Sequence, residues 1–147
     1  MIGYMVTWTT YGSWLPGDER GYVKNGKTLA GDSAILKANQ ERQKSATVKL
    51  NSCQKACVRQ AILDEAERIG QTIEALAVCT NHVHIVARPS RESIEASVSR
   101  YKNVARSALC KQSNLGRLWT RGFDKRFCFD QKSLKTRIEY VKRHELD

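Results

Sequence analysis

Ile73-Glu74-Ala75-Leu76-Ala77-Val78-Cys79-Thr80-Asn81-His82-Val83-His84-Ile85-Val86-Ala87 is the stretch from which the rest of the chain can be read. Two short apolar runs, 73–79 and 83–87, are parted by Thr80-Asn81, and Arg88-Pro89 closes the second. That punctuation predicts two paired strands joined by a tight turn. Side chains alternate along a strand, so His82 and His84 point to one face while Val83 and Ile85 point to the other. Two imidazoles thus converge on one point. The competing reading is a pair of solvated histidines at a hairpin.

Working outward, Val58, Ala61, Ile62, Ala66 and Ile69 recur at three- and four-residue steps and predict an amphipathic helix over 52–69, ended by Gly70. Downstream, Ile94, Val98, Tyr101, Ala105 and Ala108 repeat the pattern behind Ser93 as N-cap, with Arg100, Lys102, Arg106 and Lys111 on the wetter faces. At the two ends, Tyr4 to Thr10 reads as a buried opening strand and Phe127-Cys128-Phe129 as a short closing one. Asp130 then caps a last helix with Leu134, Ile138 and Val141 as its buried stripe. The order contains βαββαβ, that of a ferredoxin-like α+β sandwich: an antiparallel sheet with helices on one face, plus a C-terminal helix. Residues 1–147 are expected to form one domain, with about 16–52 as a long insertion or loop region holding one helix after Asp32.

Composition narrows the function classes. The chain is 41% hydrophobic and 27% charged, which suits a globular protein. Its net charge is +10, and residues 91–147 carry 14 lysines and arginines against 7 acidic residues. Such an excess attracts polyanions, nucleic acid first. Nothing resembles a membrane span or a signal segment, so a cytoplasmic protein is expected. The five cysteines (Cys53, Cys57, Cys79, Cys110, Cys128) have no regular spacing. They suggest no disulfide framework, and Cys53-x-x-x-Cys57 lacks the second pair that a zinc site would need.

The last helix changes the reading of the histidines. Positions i and i+4 share a helical face, so Tyr140 and His144 project side by side, flanking the buried stripe. If this helix packs over the sheet, the chain's 3 histidines meet beside one phenol. Taken singly, Tyr140 could be an ordinary core-edge tyrosine and His144 a cation at a helix C-terminus. Their joint arrangement favours a site.

The run Asn81-His82-Val83-His84-Ile85 resembles the HUH motif of the small single-tyrosine transposases, the 200/605 insertion-sequence group and the REP-associated tyrosine transposases. The aromatic opening strand, Tyr101-Lys102-Asn103, Leu118-Trp119 with Gly122-Phe123, and Tyr140-x-x-x-His144 follow in family order. The opening Thr9-Thr10-Tyr11-Gly12-Ser13-Trp14-Leu15-Pro16-Gly17-Asp18 also resembles some REP-associated members, and the poorest match spans about 25–52.

The resemblance implies a ferredoxin-like fold, a divalent metal (Mg²⁺ or Mn²⁺) held by His82, His84 and His144, and Tyr140 as nucleophile on single-stranded DNA. It further implies a 5′-phosphotyrosine intermediate, a free 3′-hydroxyl, a hairpin near the cut and a homodimer. Family members commonly carry Gln or Asn where this chain has His144, and three imidazoles shift preference toward Mn²⁺, Zn²⁺ or Ni²⁺.

The chemistry has its own logic. An attacking phenolate needs the phosphodiester's charge offset, and neutral ligands leave an ion's full charge facing the phosphate. For binding, Arg100, Lys102, Arg106, Arg117, Arg121, Lys125 and Arg126 are interleaved with Tyr101, Trp119, Phe123 and Phe127, a mixture suited to unpaired DNA. Trp119 and the phenylalanines could equally be core. Two rival functions remain: a DNA-binding regulator that does not cleave, and a small-molecule metal hydrolase, which leaves the basic C-terminal region unexplained.

Overall fold

The computed structural model describes residues 1–13, 47–111 and 116–145. The elements are β1 (Gly3–Thr9), α1 (Ser52–Ile69), β2 (Ile73–Val78), β3 (His82–Ala87), α2 (Ile94–Cys110), β4 (Asp124–Cys128) and α3 (Gln131–His144). Most of the expected 16–52 insertion, with its helix after Asp32, lies outside the described residues.

Local chemistry sets the boundaries. Asn51 and Gln54 form a reciprocal capping box at the start of α1. Gly70 ends that helix in the left-handed region, at φ 71°, where a side chain would be strained. Ser93 and Asp130 cap α2 and α3 by accepting from Ala96 N and Ser133 N.

The strands form one sheet in the order β2-β3-β1-β4, every neighbouring pair antiparallel. This is the ferredoxin-like arrangement. β4 begins at Asp124 rather than near Phe127, because Asp124 to Cys128 pair along β1 from Thr7 to Gly3. Its polar Asp-Lys-Arg start is unlike a buried strand and is tolerated because β4 lies at the sheet edge.

The sheet carries two cores. Tyr4, Val6, Trp8, Val83 and Ile85 face α1 and α2. On α2 the fully buried residue near the C-terminus is Leu109, and Ala108 is only half-buried. The opposite face is covered by α3: Leu134 and Val141 sit on Met5, Ala75, Ala77, Val86 and Cys128. The two α1-side helices therefore share one face, and the C-terminal helix takes the other. Small residues beneath α3 let it approach closely.

Gly3 marks the tightest approach. A Cβ there would lie 2.7 Å from Leu134 Cδ1 and 3.2 Å from the Ala87 carbonyl oxygen. Overpacking costs about 1–3 kcal/mol, against a gain of about 0.5–1 kcal/mol from removing a strand glycine. Gly3→Ala is therefore expected to lower stability by about 1 kcal/mol, seen as a lower urea midpoint at unchanged m-value. A midpoint at or above that of the parent would show that Leu134 swings aside freely.

Candidate metal and nucleophile site

His82 and His84 point to the α3 face, as the strand alternation predicts. Both are buried, at 8% and 4% exposure. The pairing register places Thr9 opposite His82 and Thr7 opposite His84, with Asp124 beyond Thr7 on the edge strand. Over this row α3 brings Tyr140 and His144. Ring centroids are 4.6 Å apart for His82 and His84, 4.8 Å for His84 and His144, and 6.1 Å for His82 and His144. The Tyr140 ring lies 5.5 Å from His84 and 4.4 Å from His144. All four side chains come from one chain.

One ring nitrogen of each imidazole is already committed. His144 Nδ1–H donates to the Tyr140 carbonyl at 2.9 Å, one turn back on its own helix. A carbonyl can only accept, so in the neutral ring the lone pair is on Nε2. His82 Nδ1 bonds Asn81 Oδ1 at 2.7 Å, and His84 Nδ1 bonds the Thr7 hydroxyl at 2.8 Å. His84 Nε2 is buried without a hydrogen-bond partner. Oriented rings with one nitrogen held from behind are the arrangement that metal-binding histidines require. Sequence reading missed Thr7 and Asn81. Asn81 stood beside His82 in the motif, whereas Thr7 could be found only from the strand register.

His82, His84 and His144 could hold a metal ion, since their ligand atoms lie within 4.8 Å of one another. Two nitrogens on one ion at about 2.0–2.1 Å can be at most about 4.2 Å apart, so the widest pair must close by about half an ångström. Three neutral nitrogen donors fit Mn²⁺, Zn²⁺ or Ni²⁺ better than Mg²⁺. Among the described residues no other such cluster forms, and Cys53 and Cys57 assemble none.

Burial, followed by repulsion from His82 and His144, lowers the His84 pKa to about 3. The unfolded chain takes up this proton near pH 6.5, whereas the folded chain refuses it until about pH 3. Metal-free protein should therefore lose stability as pH falls from 6.5 toward 3, by up to about 1.4 kcal/mol per pH unit from this group. Above pH 6.5 it contributes no slope. Urea midpoints in the presence of a chelator, compared with those of His84→Ala, would isolate the effect; parallel profiles for the two proteins would contradict it.

The other residues expected to bind DNA are scattered. Trp119 is not a surface ring: it is 7% exposed, packs edge-on against Trp8 at 5.8 Å and donates from Nε1 to the Lys102 carbonyl. Lys102 holds the Thr120 and Gly122 carbonyls, both at 2.9 Å, and burial, then Arg117, lowers its pKa. These two brace the 117–122 segment.

Tyr101 is buried on the α1/α2 side, hydrogen-bonds Gln71, and is pushed well up in pKa by burial, and its hydroxyl lies across the sheet from the histidines. Arg100 and Arg106 lie on α2, across the sheet from the histidines, and Arg100 is paired with Glu92. Lys125 pairs with Glu95, and its place opposite Val6 puts it on that same far side. Arg126, opposite Met5, faces the α3 side, while Arg117 and Arg121 flank Trp119 and Thr120, which adjoin the His82 end of β1.

Fold and site together define a ferredoxin-like sheet with a three-histidine cluster beside a tyrosine ring. No protein-family model and no curated protein matches the chain by sequence. Its fold recurs among solved structures. One is a REP-associated tyrosine transposase bound to a REP hairpin, at TM-score 0.60 and 13% identity, covering 99% of this chain and 67% of the other. The second is a provisionally assigned transposase from Deinococcus radiodurans R1, at TM-score 0.55 and 12% identity, covering 97% and 90%. Among the described residues no helix is long and apolar enough to cross a membrane.

Proposed function

We propose that this chain is a transposase-type endonuclease and strand transferase acting on single-stranded DNA, with Tyr140 as nucleophile. The observation that carries the reading is the meeting of Tyr140, His82, His84 and His144 on one sheet face within one chain. Likeness of fold to a transposase that binds a hairpin supports a hairpin-containing strand as substrate.

A divalent ion, Mg²⁺ or Mn²⁺, held by the three imidazoles would offset charge on a non-bridging phosphate oxygen. The protein's own residues do the rest. The Tyr140 phenol gives up its proton to solvent and its oxygen attacks phosphorus. An O–P bond forms as the P–O3′ bond breaks, and the leaving 3′ oxygen takes a proton. The products are a 5′-phosphotyrosine and a free 3′-hydroxyl, and reversal by that or another 3′-hydroxyl rejoins strands. Arg126, on the α3 face of the sheet, supplies a cation beside the site, while Arg100, Arg106, Arg117, Arg121 and Lys125 supply a wider field. Homodimer formation, part of this reading, would bring two strand ends together.

The test uses single-stranded oligonucleotides with an imperfect hairpin and randomised flanks, incubated with Mn²⁺. A denaturant-resistant protein adduct should carry a 3′-end label and never a 5′-end label. Tight binding without adduct would instead favour the non-cleaving regulator.

A further inference from the structure

The flank of α3 that carries Tyr140 and His144 holds two more residues. Ser133 and Arg137 precede Tyr140 by seven and three positions, so all four share one side of the helix. All four are half-buried, unlike Lys135 and Lys142, which are exposed. Because Tyr140 and His144 reach His84, this flank faces inward across the sheet, away from the β2 edge. On that side β1 and β4 present Thr7, Asp124 and Arg126, with Asp124 and Arg126 paired to each other at 3.0 Å.

Arg137 has an unusual status. Among the described arginines only Arg88 and Arg137 are half-buried, and Arg88 is paired with Glu74 at 2.9 Å. Arg137 makes no hydrogen bond or ion pair with the described residues. A guanidinium offers five donors in a rigid fork suited to phosphate oxygens, and holding it partly buried without an acceptor is unfavourable. α3 thus places a cation that is unmatched among the described residues one turn before Tyr140, on the same side.

We propose that Arg137 is a substrate-positioning residue that grips a phosphate of the single strand next to the one Tyr140 attacks. This rests on the nuclease reading above. The metal residues and Arg137 then bracket the phenol from its two sides along the helix, and the strand runs over Thr7 toward Arg126. Sequence reading passed over Arg137 because it stood among the many basic residues of the C-terminal region.

The experiment compares Arg137→Gln, Arg137→Lys and the equal-charge-loss control Lys135→Gln in the full chain. Measured quantities are Mn²⁺ affinity by calorimetry, the rate of adduct formation on the hairpin oligonucleotide pool, and the salt dependence of oligonucleotide binding. Arg137→Gln should slow the adduct at least about tenfold at unchanged Mn²⁺ affinity and flatten the salt slope by about 0.7, the value of one single-strand phosphate contact. Arg137→Lys should recover part of the loss, and Lys135→Gln should match the parent.

Equal behaviour of Arg137→Gln and Lys135→Gln overturns the inference, as does a parallel loss of Mn²⁺ affinity. If the parent protein forms no adduct, the nuclease reading fails instead, while the salt slopes still decide whether Arg137 holds a phosphate.

Discussion

Tyr140→Phe is expected to eliminate the covalent protein–DNA adduct, with a loss on the order of 10³-fold or more, and to leave single-strand binding largely intact. The substitution removes one hydroxyl and keeps the ring between His84 and His144, at 5.5 and 4.4 Å, so the metal-binding geometry should survive. Tyr101→Phe is the control. That hydroxyl lies in the other core on Gln71, so its loss should cost about 1 kcal/mol of stability and no adduct. Gel separation of labelled oligonucleotide from protein after denaturation reads the result. An undiminished adduct in Tyr140→Phe would remove Tyr140 from the chemistry.

The second large effect concerns the histidines. His84→Ala deletes the most central ring, with both other imidazoles and Tyr140 within 5.5 Å of it by centroid. Divalent-ion affinity should fall by more than the roughly 10–100-fold that loss of a ligand's hydrogen-bond partner costs, and cleavage should fall with it. His82→Ala should behave alike. His144→Gln should keep much of the activity and move ion preference toward Mg²⁺, because an amide oxygen is a harder donor than imidazole. Calorimetry with Mn²⁺ and Mg²⁺, paired with cleavage assays, checks both statements. Identical Mg²⁺ and Mn²⁺ profiles before and after His144→Gln would show that His144 is not a ligand.

What could be read in the chain follows from which signals are local. Strand alternation put His82 and His84 on one face, and Gly70 and Asp130 bounded helices by their own backbone chemistry. The i, i+4 spacing joins Tyr140 to His144 whatever the helix packs against. Cross-strand partners were not readable this way. Thr7 stands behind His84 only because β1 pairs with β3 in one register, 77 positions away in sequence. Lys102 looked like a surface binder by residue type and Trp119 like either a binder or core; tertiary packing sets both into bracing the 117–122 segment. β4 started earlier than its apolar residues suggested because edge pairing with β1, rather than burial, defines it.

The division of the molecule into two cores has a mechanical result. α3 is seated by a small cluster of its own, while Tyr4, Trp8 and their neighbours are enclosed by α1 and α2 on the reverse side. On the proposed reading, lifting that single helix would withdraw Tyr140 and one of the three candidate ligands, His144, in the same motion, without opening the larger core. The proposed activity and global foldedness would then be separable quantities, and damage confined to the sheet–α3 seam would silence that activity while a melting curve still reported an intact larger core.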